Sequence, residues 1–180
     1  MIHNVYILKK TGESLIHGYY GSIEVDETLI TGFLSAISTF AEEIGAESVE
    51  TLVMKNMKFV YAMDTSLPDD PLIFAVSVDR EEDEQKIKEI LIEVKEKFVG
   101  RHKSDLEDWT GDIKLFAPFY NDLDAIVWEY VVKKYSKTFH NLVTNKEQTI
   151  DEVISLIYHL FSPKIAQKLI DQILEKIVQQ

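Results

Sequence analysis

The stretch from Thr28 to Ile44, TLITGFLSAISTFAEEI, constrains this chain more than any other. Set at about 100° per residue, its apolar side chains run from Leu29, Ile30, Phe33 and Leu34 through Ala36 and Ile37 to Phe40, Ala41 and Ile44, and they fill an arc of roughly 160°. A surface helix needs only roughly 100° of apolar stripe to cover one core. The excess predicts a helix with two neighbours. Asp26 is placed to cap its start, Glu27 suits the positive end of its dipole, and Gly45 stands where a left-handed residue ends helices. Gly32 costs about 1 kcal/mol relative to alanine inside a helix, which points to close approach of a sheet or another backbone. Thr31, Ser35, Ser38, Thr39 and Glu42 lie opposite the arc and are expected to see water.

The flanking segments read as strands. Residues 2–9 (IHNVYILK) and 14–20 (SLIHGYY) are short, β-branched and aromatic, with Thr11-Gly12 between them, a hairpin pattern. A two-residue loop there sets Tyr6 opposite His17 and His3 opposite Tyr20, with the two histidines on opposite faces and unable to share a metal. Beyond Gly45, three more strands are expected at 48–54, 57–64 and 72–78. LIFAVSV in the last is nearly continuous apolar sequence, as a central strand covered on both faces requires.

Helices follow. DREEDEQKIKEILIEVKEKF has apolar residues at Ile87, Ile90, Leu91, Val94 and Phe98, capping-box spacing between Asp79 and Glu82, and Gly100 just past its expected end. Ser104 and Glu107 repeat that spacing ahead of a short irregular helix that carries Trp109, Ile113, Phe116 and Phe119. A stronger helix is expected from Asn121 to about Tyr135. The polar residues 136–148 read as a connection, and Thr149 to Val178 as an amphipathic helical pair divided at Ser162-Pro163. Two helices this apolar require cover from the body, each other or another chain. The expected architecture is α+β: a five-stranded antiparallel sheet with helices on both faces over 1–135, a connection at 136–148, and a C-terminal helical pair at 149–180.

Composition narrows function chiefly by exclusion. The net charge of −12 is unevenly shared, with −14 on residues 1–132 and +2 on 133–180. Such an acidic body repels phosphate backbones and anionic lipids, so nucleic acid and general membrane binding are poor fits, and a partner with a basic face is a better one. No apolar run reaches the roughly 18 residues of a membrane span, and MIHNVYILKK lacks the pattern of a signal peptide, so the chain is expected in the cytoplasm, with any membrane recruitment left to a partner. The absence of cysteine removes disulfides and thiolate chemistry.

The seven glycines form neither a dinucleotide fingerprint nor a P-loop, and no serine sits in a nucleophile elbow. His3, His17, His102, His140 and His159 lack metal-ligand spacing, and the acidic run from Asp79 to Glu84 lacks the glycine of a calcium loop and suits a helix start. No residue is therefore assigned to catalysis, to a cofactor or to a metal. Asp105, Glu107, Asp108 and Asp112 surround Trp109 and Phe116, a pattern that suits core aromatics beside a helix start and, as the second reading, a partner patch ringed by acid.

The order of these segments resembles the longin domains: YILKKTGESLIHGYY, then LITGFLSAISTFAEEIG, then MKFVYAMD and LIFAVSVD followed by an acidic-start helix. That family includes small subunits of clathrin-type adaptors, N-terminal domains of vesicle SNAREs and subunits of complexes that load GTP onto small GTPases, and the related roadblock domains also bind such GTPases. The resemblance covers about residues 1–135. It implies a non-enzymatic interaction module of trafficking-type complexes that binds or regulates a small GTPase, or pairs as a homo- or heterodimer with another longin or roadblock chain. The first helix and third strand commonly line the partner face, which here implies Ile30, Gly32, Leu34, Ala41, Val49, Thr51 and Val53. A vesicle SNARE is expected to follow such a domain with a long heptad segment and a membrane anchor, a pattern residues 136–180 do not show, and the helical pair is more than an adaptor small subunit is expected to carry. A small-ligand sensor, marked by polar side chains converging between sheet and helix, and a purely structural subunit are the other classes left open. With Leu34 at the margin of the arc, Leu34→Glu is expected to disrupt association more than folding.

Overall fold

A computed structural model describes residues 1–23, 25–46, 48–67, 70–144 and 149–178. Five strands, β1 (Ile2–Lys9), β2 (Ser14–Tyr19), β3 (Thr51–Val53), β4 (Met57–Asp64) and β5 (Leu72–Asp79), form one antiparallel sheet in the order β2-β1-β5-β4-β3. Helix α1 (Glu27–Glu43) lies on one face. Helix α2 (Glu84–Glu107), a 3-10 segment (Ile113–Phe119) and α3 (Tyr120–Thr144) cover the other, followed by α4 (Ile150–Leu160) and α5 (Pro163–Val178). This is the α+β, longin-like arrangement expected from the pattern.

Alternation along the strands divides the core in two. Val5, Ile7, Val60, Phe74, Val76 and Val78 point toward α2, whose Ile87, Leu91, Val94, Phe98 and Leu106 form a buried stripe. Phe98 sits centrally, with ring centroids 6.0 Å from Phe74, 5.5 Å from Phe116 and 5.0 Å from Phe119. Tyr6, Leu8, Phe59, Tyr61, Ile73 and Ala75 point the other way, toward Leu34 of α1.

The hairpin register sets Tyr6 opposite His17, and Tyr20 N–H donates to His3 O at 2.8 Å, but the loop is not the expected two residues: Lys9 N–H donates to Glu13 O at 2.9 Å across Lys10, Thr11 and Gly12, and a register shift between Ile7 and Leu8 restores the pairing. The imidazoles have separate partners: His3 Nε2 lies 2.8 Å from Asp79 Oδ1 and His17 Nε2 lies 2.9 Å from Asn4 Oδ1. The strand expected at 48–54 pairs only over Thr51–Val53.

Two helix boundaries differ from the sequence pattern. Asp83, not Asp79, caps α2, its side chain accepting from the amides of Gln85 and Lys86, while Asp79 binds His3 and the Met1 amine. The helix also passes through Gly100, because the buried stripe continues through His102 and Leu106 and outweighs the local cost of glycine. Ser104 and Glu107 therefore lie in its last turn rather than capping a new helix. Helix α3 likewise runs on to Thr144 through part of the expected connection, whose residues 145–148 lie outside those described.

The C-terminal pair packs into the principal core. Val153, Ile157, Phe161, Ile165, Ala166 and Leu169 join the same cluster as Phe74 and Phe98. Thr149 and Glu152 form the expected capping box. Phe161, between the two helices, bridges to Gly21, and Ser162 N–H donates to Tyr20 O at 2.9 Å. Lys164 reaches Asp124, which also accepts from the Tyr20 hydroxyl at 3.1 Å.

Candidate interaction surface

Helix α1 begins and ends where its sequence says it should. Asp26 accepts from the Leu29 amide at 2.8 Å, and Gly45 adopts φ +78°, the left-handed region that suits glycine. Its orientation on the sheet differs from the simplest reading of its apolar arc. The buried residues are Thr31, Leu34, Ser38 and Ala41, so two polar positions expected to face water instead face the sheet. Thr31 Oγ1 donates to Thr28 O at 3.3 Å and Ser35 Oγ donates to Lys10 O, whereas Ser38 Oγ has no partner.

The consequence is an apolar face left in solvent. Leu29, Phe40 and Ile44 are 71%, 61% and 65% exposed, and Phe33 and Ile37 beside them are half-buried. On a helical projection Leu29, Phe33, Phe40 and Ile44 span roughly 60°, centred roughly 130° from the sheet-facing residues. The stripe is also symmetric along the helix. About the midpoint between Ala36 and Ile37, Leu29 mirrors Ile44 and Phe33 mirrors Phe40.

The residues assigned to a partner face divide accordingly. Leu34 is wholly buried beneath the helix and Ala41 nearly so. Both belong to the core, because the sheet-facing side of α1 is centred on them rather than on the middle of the apolar arc. Ile30, Val49 and Thr51 are half-buried, and Val53 is exposed. A Cβ at the exposed Gly32 would meet nothing within 4 Å among the described residues, yet a Cβ on Gly12 would stand 4.0 Å from the Gly32 Cα, so the backbone that approaches this helix is that of the hairpin loop. Leu29, Phe40 and Ile44, which the sequence argument did not assign to a partner face, are the most exposed large apolar residues of the helix region. They were visible in the arc, but the direction of the sheet was not.

Surroundings of the stripe differ at the two edges of the sheet. The end of β2 is tied to the Phe161-Ser162 junction, whereas β3 has no strand on its outer side among the described residues. No buried residue of α4 or α5 joins the α1-side cluster. The buried residues described for the tail lie in the principal core, on the far face of the sheet from α1.

Two clefts flank these elements. One, of about 330 Å³, lies between the first half of α1 and the sheet, with Val25, Leu29, Ile30 and Phe33 on one side and Met57 and Phe59 on the other. The second, of about 540 Å³, lies between α2 and α3 and is rimmed by Glu81, Glu89, Glu93 and Glu129 with Lys86 and Lys133. At its base is Glu82, in contact with Lys134, the Met1 amine and the Tyr130 hydroxyl. Burial alone would raise the Glu82 pKa, but those three donors hold it down at about 2. With its oxygens engaged by these donors, Glu82 is a structural carboxylate rather than a general base.

Among the described residues, no group of three or more His, Asp or Glu is placed to hold a metal ion, and no helix is long and apolar enough to cross a membrane.

No family model matches the chain, and no curated protein does. Among solved structures, Myxococcus xanthus MglB is similar to it, at 16% identity and a TM-score of 0.40, over 55% of this chain and 85% of that one. That likeness is remote. The longin-like description of this chain rests on its own sheet and on the helices that cover each face of it.

Proposed function

We propose that this chain is a non-enzymatic interaction module that assembles, through α1 and the neighbouring β3 edge, with a second chain of longin or roadblock type. The observation that carries this reading is the exposed stripe of Leu29, Phe40 and Ile44 on a helix whose other side already packs on the sheet. Burying an aromatic or large aliphatic side chain contributes roughly 1.5–3 kcal/mol, a strong drive toward association for a cluster of this kind. The mirror arrangement about Ala36 and Ile37 suits an antiparallel pairing with another copy of α1, in which each half of the stripe meets the opposite half of its partner. Gly32 and Ala36, small and exposed beside it, let two helices approach closely. The outer edge of β3, with no strand beside it among the described residues, lies across the cleft that Leu29 and Met54 line and would extend the surface on that side.

The assembled pair is proposed to bind or regulate a small GTPase in a trafficking-type complex, in line with the longin resemblance of residues 1–135. Mass in solution tests the first step. The wild-type chain is expected to be dimeric at tens of micromolar, and Phe40→Ser monomeric with an unchanged circular dichroism spectrum. Two monomers would refute self-assembly and leave only a different partner chain. Recovery of the chain on an immobilised small GTPase, in GDP and GTP states, tests the second step. Equal recovery in both states, with unaltered nucleotide exchange and hydrolysis, would reduce the role to that of a structural subunit.

A further inference from the structure

His3 of β1 is buried where the first hairpin meets the C-terminal helical pair. Its carbonyl accepts the amides of both Tyr20 and Gly21, at 2.8 and 3.1 Å. Gly21 in turn bridges to Phe161, and Ser162 N–H donates to Tyr20 O at 2.9 Å. The imidazole lies so close to Gly21 that a Cβ there would stand 2.3 Å from His3 Nδ1 and 2.9 Å from the His3 Cα. A gap that cannot admit a methyl group cannot admit a water molecule either.

Hydrogen bonding fixes the protonation of this ring. His3 Nε2 lies 2.8 Å from Asp79 Oδ1, and although burial alone would raise the Asp79 carboxyl, bonds from the Met1 amine and from His3 hold it below its ordinary range. An ionised carboxylate only accepts, so Nε2 carries the proton and Nδ1 is a bare lone pair. Nδ1 is buried and has no partner. An acceptor left in this position is tolerated more readily than an N–H, which would be a buried donor with nothing to receive it. The charges around the ring oppose one another. The Asp79 carboxylate attracts an added proton, and the Met1 amine bonded to that carboxylate repels it. Beyond them Glu82 and Lys134 are a second pair of opposite sign. From the helical side Phe161 and Ser162 add no charge, Tyr135 meets the Phe161 ring with its phenol pushed up by burial and so neutral, and Tyr20 gives its hydroxyl to the Asp124–Lys164 pair.

We propose that His3 is an acid-sensitive latch for α4 and α5: a second proton on its imidazole creates a buried N–H against Gly21 with no acceptor, and the Gly21–Phe161 junction opens to let water receive it. A histidine in water takes up that proton at about pH 6.5, so the latch responds to mild acid. Asp79 and Glu82 stay ionised through that range. Opening uncovers the part of the principal core that Ile157, Ala166 and Leu169 seal. The latch is independent of the pairing proposed for α1, since none of its residues belongs to the exposed stripe.

Amide hydrogen exchange of the full chain, corrected for the intrinsic effect of pH, reads the latch at Ser162, whose amide is bonded across the junction. Between about pH 7.5 and pH 5.5 protection there is expected to fall about 10-fold or more, while Val76, paired on both sides in the middle of the sheet, keeps its protection. His3→Gln, which cannot gain the charge, is expected to abolish the change. His159→Gln, at an exposed position in the last turn of α4, is expected to leave it intact. If His3→Gln does not fold, the wild-type chain decides, because the NMR titration of the His3 ring and the loss of Ser162 protection are expected to share one midpoint. Unchanged protection at Ser162 on acidification, an equal fall in folded His3→Gln, a fall abolished by His159→Gln, or separate midpoints would each overturn the proposal.

Discussion

On one face of the sheet α2, the 3-10 segment, α3, α4 and α5 build a continuous core around Phe74 and Phe98, while on the other α1 lies alone over a smaller cluster. The thick side has its aromatic rings in mutual contact and its one deeply placed carboxylate, Glu82, supplied with donors. Both sides hold unpartnered buried polar atoms, Tyr6, Ser38 and Tyr61 hydroxyls on the thin side and the Ser162 hydroxyl and His102 Nε2 on the thick one, but the thin side turns serine and threonine toward the sheet and leaves Leu29, Phe40 and Ile44 at 71%, 61% and 65% exposure on one helix. Proteins seldom leave such a combination uncovered. The difference teaches that one face of the sheet carries most of the packing, and the pairing proposed for α1 would complete the other.

Leu34→Glu is the severest test of this contrast. It places an unpaired charge in the only well-packed part of the thin side and is expected to unfold the chain, visible as loss of helical circular dichroism and soluble yield. A folded, soluble monomer would return Leu34 to the interface. Phe98→Ala is expected to cost about 4 kcal/mol in urea unfolding, against about 2–3 kcal/mol for Leu34→Ala, because more of the core collapses onto Phe98. Equal costs would mean that the two faces are equally well packed.

Acid provides a comparison that leaves packing untouched. The folded-state pKa of Glu82 lies below its ordinary value of 4.5, so its stabilisation is fully present above that pH and is lost as pH falls toward about 2. For this largely buried group the loss is expected to reach about 2–3 kcal/mol. Glu82→Gln is expected to lower stability near neutrality and flatten the decline between about pH 5 and pH 2, as followed by urea unfolding across that range. The smallest effect on folding is expected at the exposed stripe. Phe40→Ser should change stability by about 0.5 kcal/mol or less while altering mass in solution, and a larger loss in the monomer would place Phe40 in the core.

Much of the fold was legible because the relevant signals are local. Asp26 and Gly45 bound α1, alternation marked the two strands of the hairpin although its loop is one residue longer than Thr11-Gly12, and the run LIFAVSV marked β5 as a central strand. Gly100 misled because a helix tolerates glycine when Phe98, His102 and Leu106 on either side of it are buried together, a tertiary effect invisible in the spacing. The surface was half legible. A helical wheel shows how wide an apolar arc is but not where the sheet lies beneath it, and Thr31 and Ser38, taken for the wet side, turned the expected contact away from Leu29 and Phe40. The unpartnered side of the His3 imidazole was beyond reach of the sequence, since it depends on Gly21 lying against the ring and on Asp79 taking its other nitrogen.

The tie between Tyr20 and Ser162 also has a bearing on synthesis. It joins the first hairpin to the last helical pair, so a chain emerging from its N-terminus can pair its strands long before it can seal the end of β2. Until α4 and α5 arrive, the part of the principal core that Ile157, Ala166 and Leu169 complete stays open to water and to other nascent chains. A nascent chain of which only residues 1–144 had emerged would hold the strands and α3 with that core still uncovered. The order in which this protein is made therefore leaves its thick, stable side as the last to become safe.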